Sequence, residues 1–75
     1  MKVMDAVRDV VRARMGITNI DGETRLESLN MDSLDFVDLI LCVNDACGVT
    51  IPDEEASGLM TIGDICEAVR SHASN

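Results

Sequence analysis

Apolar residues recur at three- and four-residue spacing in three separate stretches of this chain. Val3, Val7, Val10 and Val11 share one side of a helix drawn over residues 2–15. Phe36, Leu39, Ile40, Val43 and Cys47 share one side over 33–47, and Ile62, Ile65, Cys66 and Val69 do so after residue 61. This spacing fits the roughly 3.6 residues of an α-helical turn, and not the alternation of a half-buried strand. The boundaries carry matching signals. Gly16 and Gly48 stand where a helix end takes a left-handed residue, and TIGD at 61–64 has the form of a capping box. The turn GVTIPDEE leads into a short third helix, expected at roughly 53–59, opened by Pro52 or Asp53 and kept short by Gly58. Residues 17–31 lack clean periodicity, and so long a loop is unusual in a compact domain. The expectation is a structured loop whose Ile17, Ile20, Leu26 and Leu29 plug one end of the core. Apolar stripes of this kind must be buried against one another. The predicted fold is all-α: one domain, residues 1–75, a small four-helix bundle with three main helices, one short third helix and a long first loop.

Composition sets further limits. A chain of 75 residues with a single aromatic, Phe36, must build its core from aliphatic, Met and Cys side chains. At this size only about 60% of the unfolded surface is buried, so stability is expected to be modest. No stretch approaches the ~18 apolar residues of a membrane span. MKVMDAVRDVV at the N-terminus carries charges within its apolar pattern, reading as an amphipathic helix and not as a signal peptide. Cys42, Cys47 and Cys66 are odd in number and form no C-x-x-C pair, which argues against a disulfide framework or zinc site and for reduced thiols in a cytoplasmic protein. The net charge is −8, and between Glu27 and Val69 there are ten acidic side chains and no basic one. Such a surface repels nucleic acid and anionic lipid and steers a basic protein toward it. The plainer alternative is a solvated acidic face that keeps a small protein soluble.

Ser33 lies between two aspartates in NMDSLDFVDLIL, with no histidine, lysine or arginine nearby. A serine nucleophile needs a general base and an oxyanion site. The one histidine, His72, is at the far end of the chain, so catalysis by the chain itself is not expected. DGETRLESLNMD lacks the ligand pattern of an EF-hand, and no metal site is expected. The structural role open to an Asp-Ser pair at a helix start is a cap, worth roughly 1 kcal/mol.

DSLDFVDLIL is followed, eighteen residues after Ser33, by IPDEEA, with one helix and a turn between. Together with the acidic second helix, the length and the charge, these motifs resemble the acyl carrier proteins along the whole chain, most strongly from Leu29 to Ala56. The resemblance implies a non-enzymatic carrier, stand-alone and monomeric, that holds acyl intermediates as thioesters on a 4′-phosphopantetheine arm attached to Ser33, in fatty acid or related lipid biosynthesis. It implies a phosphopantetheinyl transferase as one partner, using Mg²⁺ and coenzyme A, and acyl-loading and acyl-processing enzymes with basic docking patches as others. The matching acidic docking positions are Asp32, Asp35, Asp38, Asp45, Asp53, Glu54 and Glu55, with Leu34, Val37 and Leu41 beside them. An acyl chain can fold between the second and third helices in this family. Phe36, Leu39, Ile51, Ala56, Leu59 and Ile62 are the candidate lining, with ordinary core as the alternative for each.

The chain also departs from the family pattern. Asn30 stands where a glycine is usual, and asparagine is the next most tolerant residue at positive φ. Cys47 stands where fatty-acid carriers commonly have phenylalanine, Phe36 where they often have a smaller residue, and Asn44 where an acid is common. A specialised carrier for polyketide, lipid-modification or aminoacyl chemistry is therefore an alternative reading. An acidic docking module without a prosthetic group is a remoter one.

Overall fold

A computed structural model describes residues 3–73. Its helices are α1 (Val3–Met15), α2 (Ser33–Cys47), α3 (Asp53–Ala56) and α4 (Ile62–Ala73), with a 3-10 turn at Leu26–Leu29 inside the long first connection. The all-α expectation holds. The first position of the helix expected over 2–15 lies outside the described residues, and the remainder coincides with α1. α2 begins and ends where its cap signals put it.

The three longer helices form the core. α1 packs on both α2 and α4, and α2 meets α4. Val7 and Val11 of α1, Val43 of α2, and Ile62 and Ile65 of α4 are 0% exposed. Val3 and Val10 are only half-buried, at the margin of the α1 stripe. Gly16 ends α1 at φ 72°, its N–H donating to the Arg12 carbonyl at 2.8 Å. Gly48 ends α2 at φ 67°, its N–H donating to the Asn44 carbonyl. The capping box forms at α4: Asp64 N–H donates to Thr61 Oγ1 at 3.1 Å, and Thr61 N–H to Asp64 Oδ2 at 3.2 Å.

The long first connection is held at both levels expected of an ordered loop. Its apolar residues Ile20, Leu26 and Leu29 are buried, with Ile17 packed against them. Its backbone is pinned to the segment that enters α4. Leu26 N–H donates to Met60 O, Ile62 N–H to Thr24 O and Gly63 N–H to Gly22 O, each at 2.9 Å, around a single antiparallel bridge between Arg25 and Thr61. The approach is close enough that a Cβ on Gly63 would sit 2.7 Å from the Gly22 carbonyl oxygen. Asn30, directly before the α2 cap segment, closes the 3-10 turn in the left-handed region at φ 56°.

The third helix is shorter than the expected 53–59. It makes one turn, Asp53–Ala56, and the chain then tightens: Gly58 N–H donates to Glu55 O and Leu59 N–H to Ala56 O, three residues back instead of four. Residues 59–60 must reach the Leu26 backbone, and a longer helix would carry them away from it.

Candidate functional site

The start of α2 divides labour between two adjacent residues. Asp32 is the cap: it is extended (φ −89°, ψ −178°), its Oδ1 accepts from Asp35 N–H at 2.8 Å, and its carbonyl accepts from Phe36 N–H at 3.0 Å. Ser33 is the first helical residue. Its side chain is exposed, and among the described residues its hydroxyl has no hydrogen-bond partner. The capping role open to the Asp-Ser pair thus falls to the aspartate alone, which leaves the serine oxygen free.

Ser33 stands at the rim of a groove of about 600 Å³. One wall is α2, through Phe36, Val37, Ile40, Leu41 and Asn44, and the other is the 50–53 segment with Ala56 and Ser57. The α2 residues come from the rows 33-37-41 and 36-40-44, four apart and therefore on adjoining strips of one helix face. The walls are held in register by Asn44, whose Oδ1 accepts from Ile51 N–H at 3.1 Å, while its carbonyl accepts from Val49 N–H at 3.0 Å. A smaller hollow of about 290 Å³ lies on the other side of the serine, between the 3-10 turn and Leu59, and Ser33, Phe36 and Ser57 border both.

The six candidate acyl-lining residues fall into three groups. Phe36, Ile51 and Ala56 line the groove. Leu59 lines the smaller hollow. Leu39 and Ile62, at 2% and 0% exposed, sit in the helical core and do not reach the groove. The helical period explains this: Leu39 is on the α2 face turned to α1, while the groove faces α3. Ile40, Asn44, Thr50, Pro52 and Ser57 line the groove without having been anticipated. Counting in fours from Phe36 would have found the first two.

The docking positions are also unequal. Leu34, Val37 and Leu41 are exposed at 79%, 49% and 61%, an uncovered apolar strip running away from Ser33. Asp35, Asp45, Asp53 and Glu54 are exposed around that strip. Asp32 is exposed but spends one oxygen on the cap. Asp38 is half-buried and paired with Arg14 of α1, and Glu55 lies 3.0 Å from His72 Nε2 of α4. Those two carboxylates are therefore already met by groups of the same chain.

No histidine, lysine or arginine lines either hollow that Ser33 borders. Asp53 is the titratable side chain among the groove-lining residues, and a carboxylate is a weak base toward a hydroxyl. Among the described residues no group of three or more His, Cys, Asp or Glu side chains is placed to hold a metal ion, and no helix is long and apolar enough to cross a membrane. Burial pushes the thiols of Cys47 and Cys66 above their ordinary value. For Cys66, Arg70 and Arg8 pull the other way and Cys47 adds to the rise. What the site does offer is a free, accessible oxygen on a rigid helix end, with an apolar cleft at its foot. That fits a serine to which another enzyme attaches a long flexible group.

Comparison with known proteins agrees with this geometry. The family model described as a phosphopantetheine attachment site matches residues 5–69. An acyl carrier protein of Clostridium acetobutylicum is 33% identical over 73 residues, 93% of this chain and 95% of that protein. One from Campylobacter hominis is 34% identical, with 100% of this chain and 99% of that protein covered. The crystal structure of an acyl carrier protein from Thermotoga maritima superposes with a TM-score of 0.84 at 25% identity, covering 97% of this chain and 88% of the other. The chain belongs to the acyl carrier proteins, the family built around a covalently attached phosphopantetheine.

Proposed function

We propose that this protein carries acyl groups, in fatty acid or related lipid biosynthesis, on a phosphopantetheine joined to Ser33. The observation that carries the reading is the exposed, unpartnered Ser33 hydroxyl at the rim of the apolar groove. When bound, the group supplies a thiol that holds the acyl chain as a thioester. Ser33 Oγ forms the bond to phosphorus as the anhydride bond of coenzyme A breaks. The adenosine bisphosphate leaves, and the hydroxyl proton passes to a base of the transferase. A phosphate attached to Ser33 would lie by the N-terminus of α2, where free N–H groups and the helix dipole favour an anion. Asp32 and Asp35 oppose it, but all these groups are exposed and screened by salt. The groove then gives the acyl chain a place out of water.

The protein itself acts as a substrate and a vehicle, not as an enzyme, and we place it in the cytoplasm, where its free cysteines stay reduced. Its transferase and its acyl-handling partners meet α2 through basic surfaces, with Leu34, Val37 and Leu41 as the apolar contact and Asp35, Asp45, Asp53 and Glu54 as the charged surround. Such contacts tune encounter and specificity more than affinity, which suits a carrier that must leave after each step.

The test is a mass measurement on apo protein incubated with coenzyme A, Mg²⁺ and a broad-specificity phosphopantetheinyl transferase. One added arm is expected on the unaltered chain and none on Ser33→Ala. An unchanged mass for the unaltered chain, or an arm on the alanine variant, overturns the assignment.

A further inference from the structure

We propose that Arg14 is a resident cation that closes one edge of the docking face by occupying Asp38, and so decides which basic partners can use that edge. The inference rests on the carrier reading of α2 given above. Arg14 lies in the last turn of α1, where a cation is favoured by the helix dipole. Its guanidinium pairs with Asp38 across the α1–α2 interface, with the two side chains 48% and 46% exposed. Asp38 is therefore reachable, but it is already partnered.

The opposite edge of α2 has a different character. Asp53 lines the groove that Ser33 borders and Glu54 follows it on α3; both are exposed, and among the described residues neither carboxylate lies in an ion pair. A basic surface approaching α2 thus finds the open carboxylates of Asp53 and Glu54 on the α3 side, and on the α1 side Asp35 beside an Asp38 already neutralised by Arg14. Below the pair is a hollow of about 230 Å³ with Met15, Ile17, Leu29 and Leu39 as its floor and Asp35 at its rim. A partner cation that used Asp38 would have to displace Arg14, which then loses its own partner. The occupant kept out is the arginine or lysine of a partner enzyme, and the docking footprint is shifted toward α3.

Exposed pairs are weak, so exchange of one cation for another is expected to matter by about two- to fivefold in apparent affinity. The probe is the phosphopantetheinyl transferase reaction on apo protein, with kcat/KM measured at low salt for the unaltered chain, Arg14→Gln, Asp38→Asn and the double variant. Arg14→Gln is expected to raise kcat/KM by about two- to fivefold, carried by KM, and the gain is expected to vanish in the Asp38→Asn background. Arg14→Met, which keeps the apolar stem, is expected to behave as Arg14→Gln and serves if the first variant folds poorly. An equal gain in both backgrounds means that Arg14 acts only through its overall charge, and it overturns the proposal, as does the absence of any gain. If no variant, and not the unaltered chain, gains the arm, the carrier reading itself has failed. If all are modified at the same rate, only the role of Arg14 has.

Discussion

At the scale of single residues, the division between Asp32 and Ser33 makes the site separable from the fold. The aspartate satisfies a helix N–H that would otherwise be left open, while the serine contributes nothing to the cap. Asp32→Ala is therefore expected to cost about 1 kcal/mol of stability, which at this chain length lowers the melting temperature by roughly 4–8 °C. Ser33→Ala is expected to leave the melting temperature unchanged while removing the attachment point. Thermal melts of the two variants side by side distinguish this from a shared cap, in which both would fall. The sequence pattern could show that one of the pair caps α2, but not which, because the choice depends on backbone angles: Asp32 is extended and Ser33 is already helical.

At the scale of elements, legibility followed the strength of local signals. α2 was readable to its ends because an Asp-Ser capping pair, a continuous apolar stripe and Gly48 all agree. α4 was readable through its capping box. The 3-10 turn was not, since two leucines three apart, with no side-chain cap, leave no periodic trace. Nor was the end of α3, which is set by the distant hydrogen bond from Leu26 to Met60. In the groove, Phe36, Ile51 and Ala56 were legible and the exclusion of Leu39 and Ile62 was not, because that depends on how α2 is rotated against α1 and α4. The contact between the long loop and α4 has its own test. A methyl at Gly63 would meet backbone, which cannot swing aside as a flexible side chain would. Gly63→Ala is expected to destabilise by about 1–3 kcal/mol, read as a lower urea midpoint with an unchanged slope. A midpoint equal to that of the unaltered chain would show that the loop is not held against α4.

At the scale of the whole molecule, the core is aliphatic with the Cys66 thiol inside it and Cys47 at its edge, and that sets a limit at alkaline pH. Burial raises the Cys47 and Cys66 thiols above their ordinary value of 9.0, so the folded chain holds these protons more tightly than the unfolded one. Below that value both states are protonated and the thiols have no effect on the balance. As pH climbs past it the unfolded thiols ionise first, and stability is lost until the folded thiols ionise as well. The melting temperature is expected to fall more steeply above pH 9.0 for the unaltered chain than for a Cys47→Ala/Cys66→Ala variant, whatever the variant's starting level. Parallel curves would refute the attribution.

The segment carrying α3 is tied down at one end by Ile51 to Asn44 and at the other by the Met60 carbonyl to Leu26. Between those moorings Ala56 is buried in the core and Glu55 meets His72 of α4, so the groove can widen on this side only by giving up those contacts, while the contacts of α2 with α1 stay as they are. Hydrogen exchange on acylated protein is then expected to change across 53–58 and to stay constant in the middle of α2, and a change confined to α2 would count against it. On this view guests of different girth are admitted by one yielding side, and visiting enzymes always read the same unaltered face.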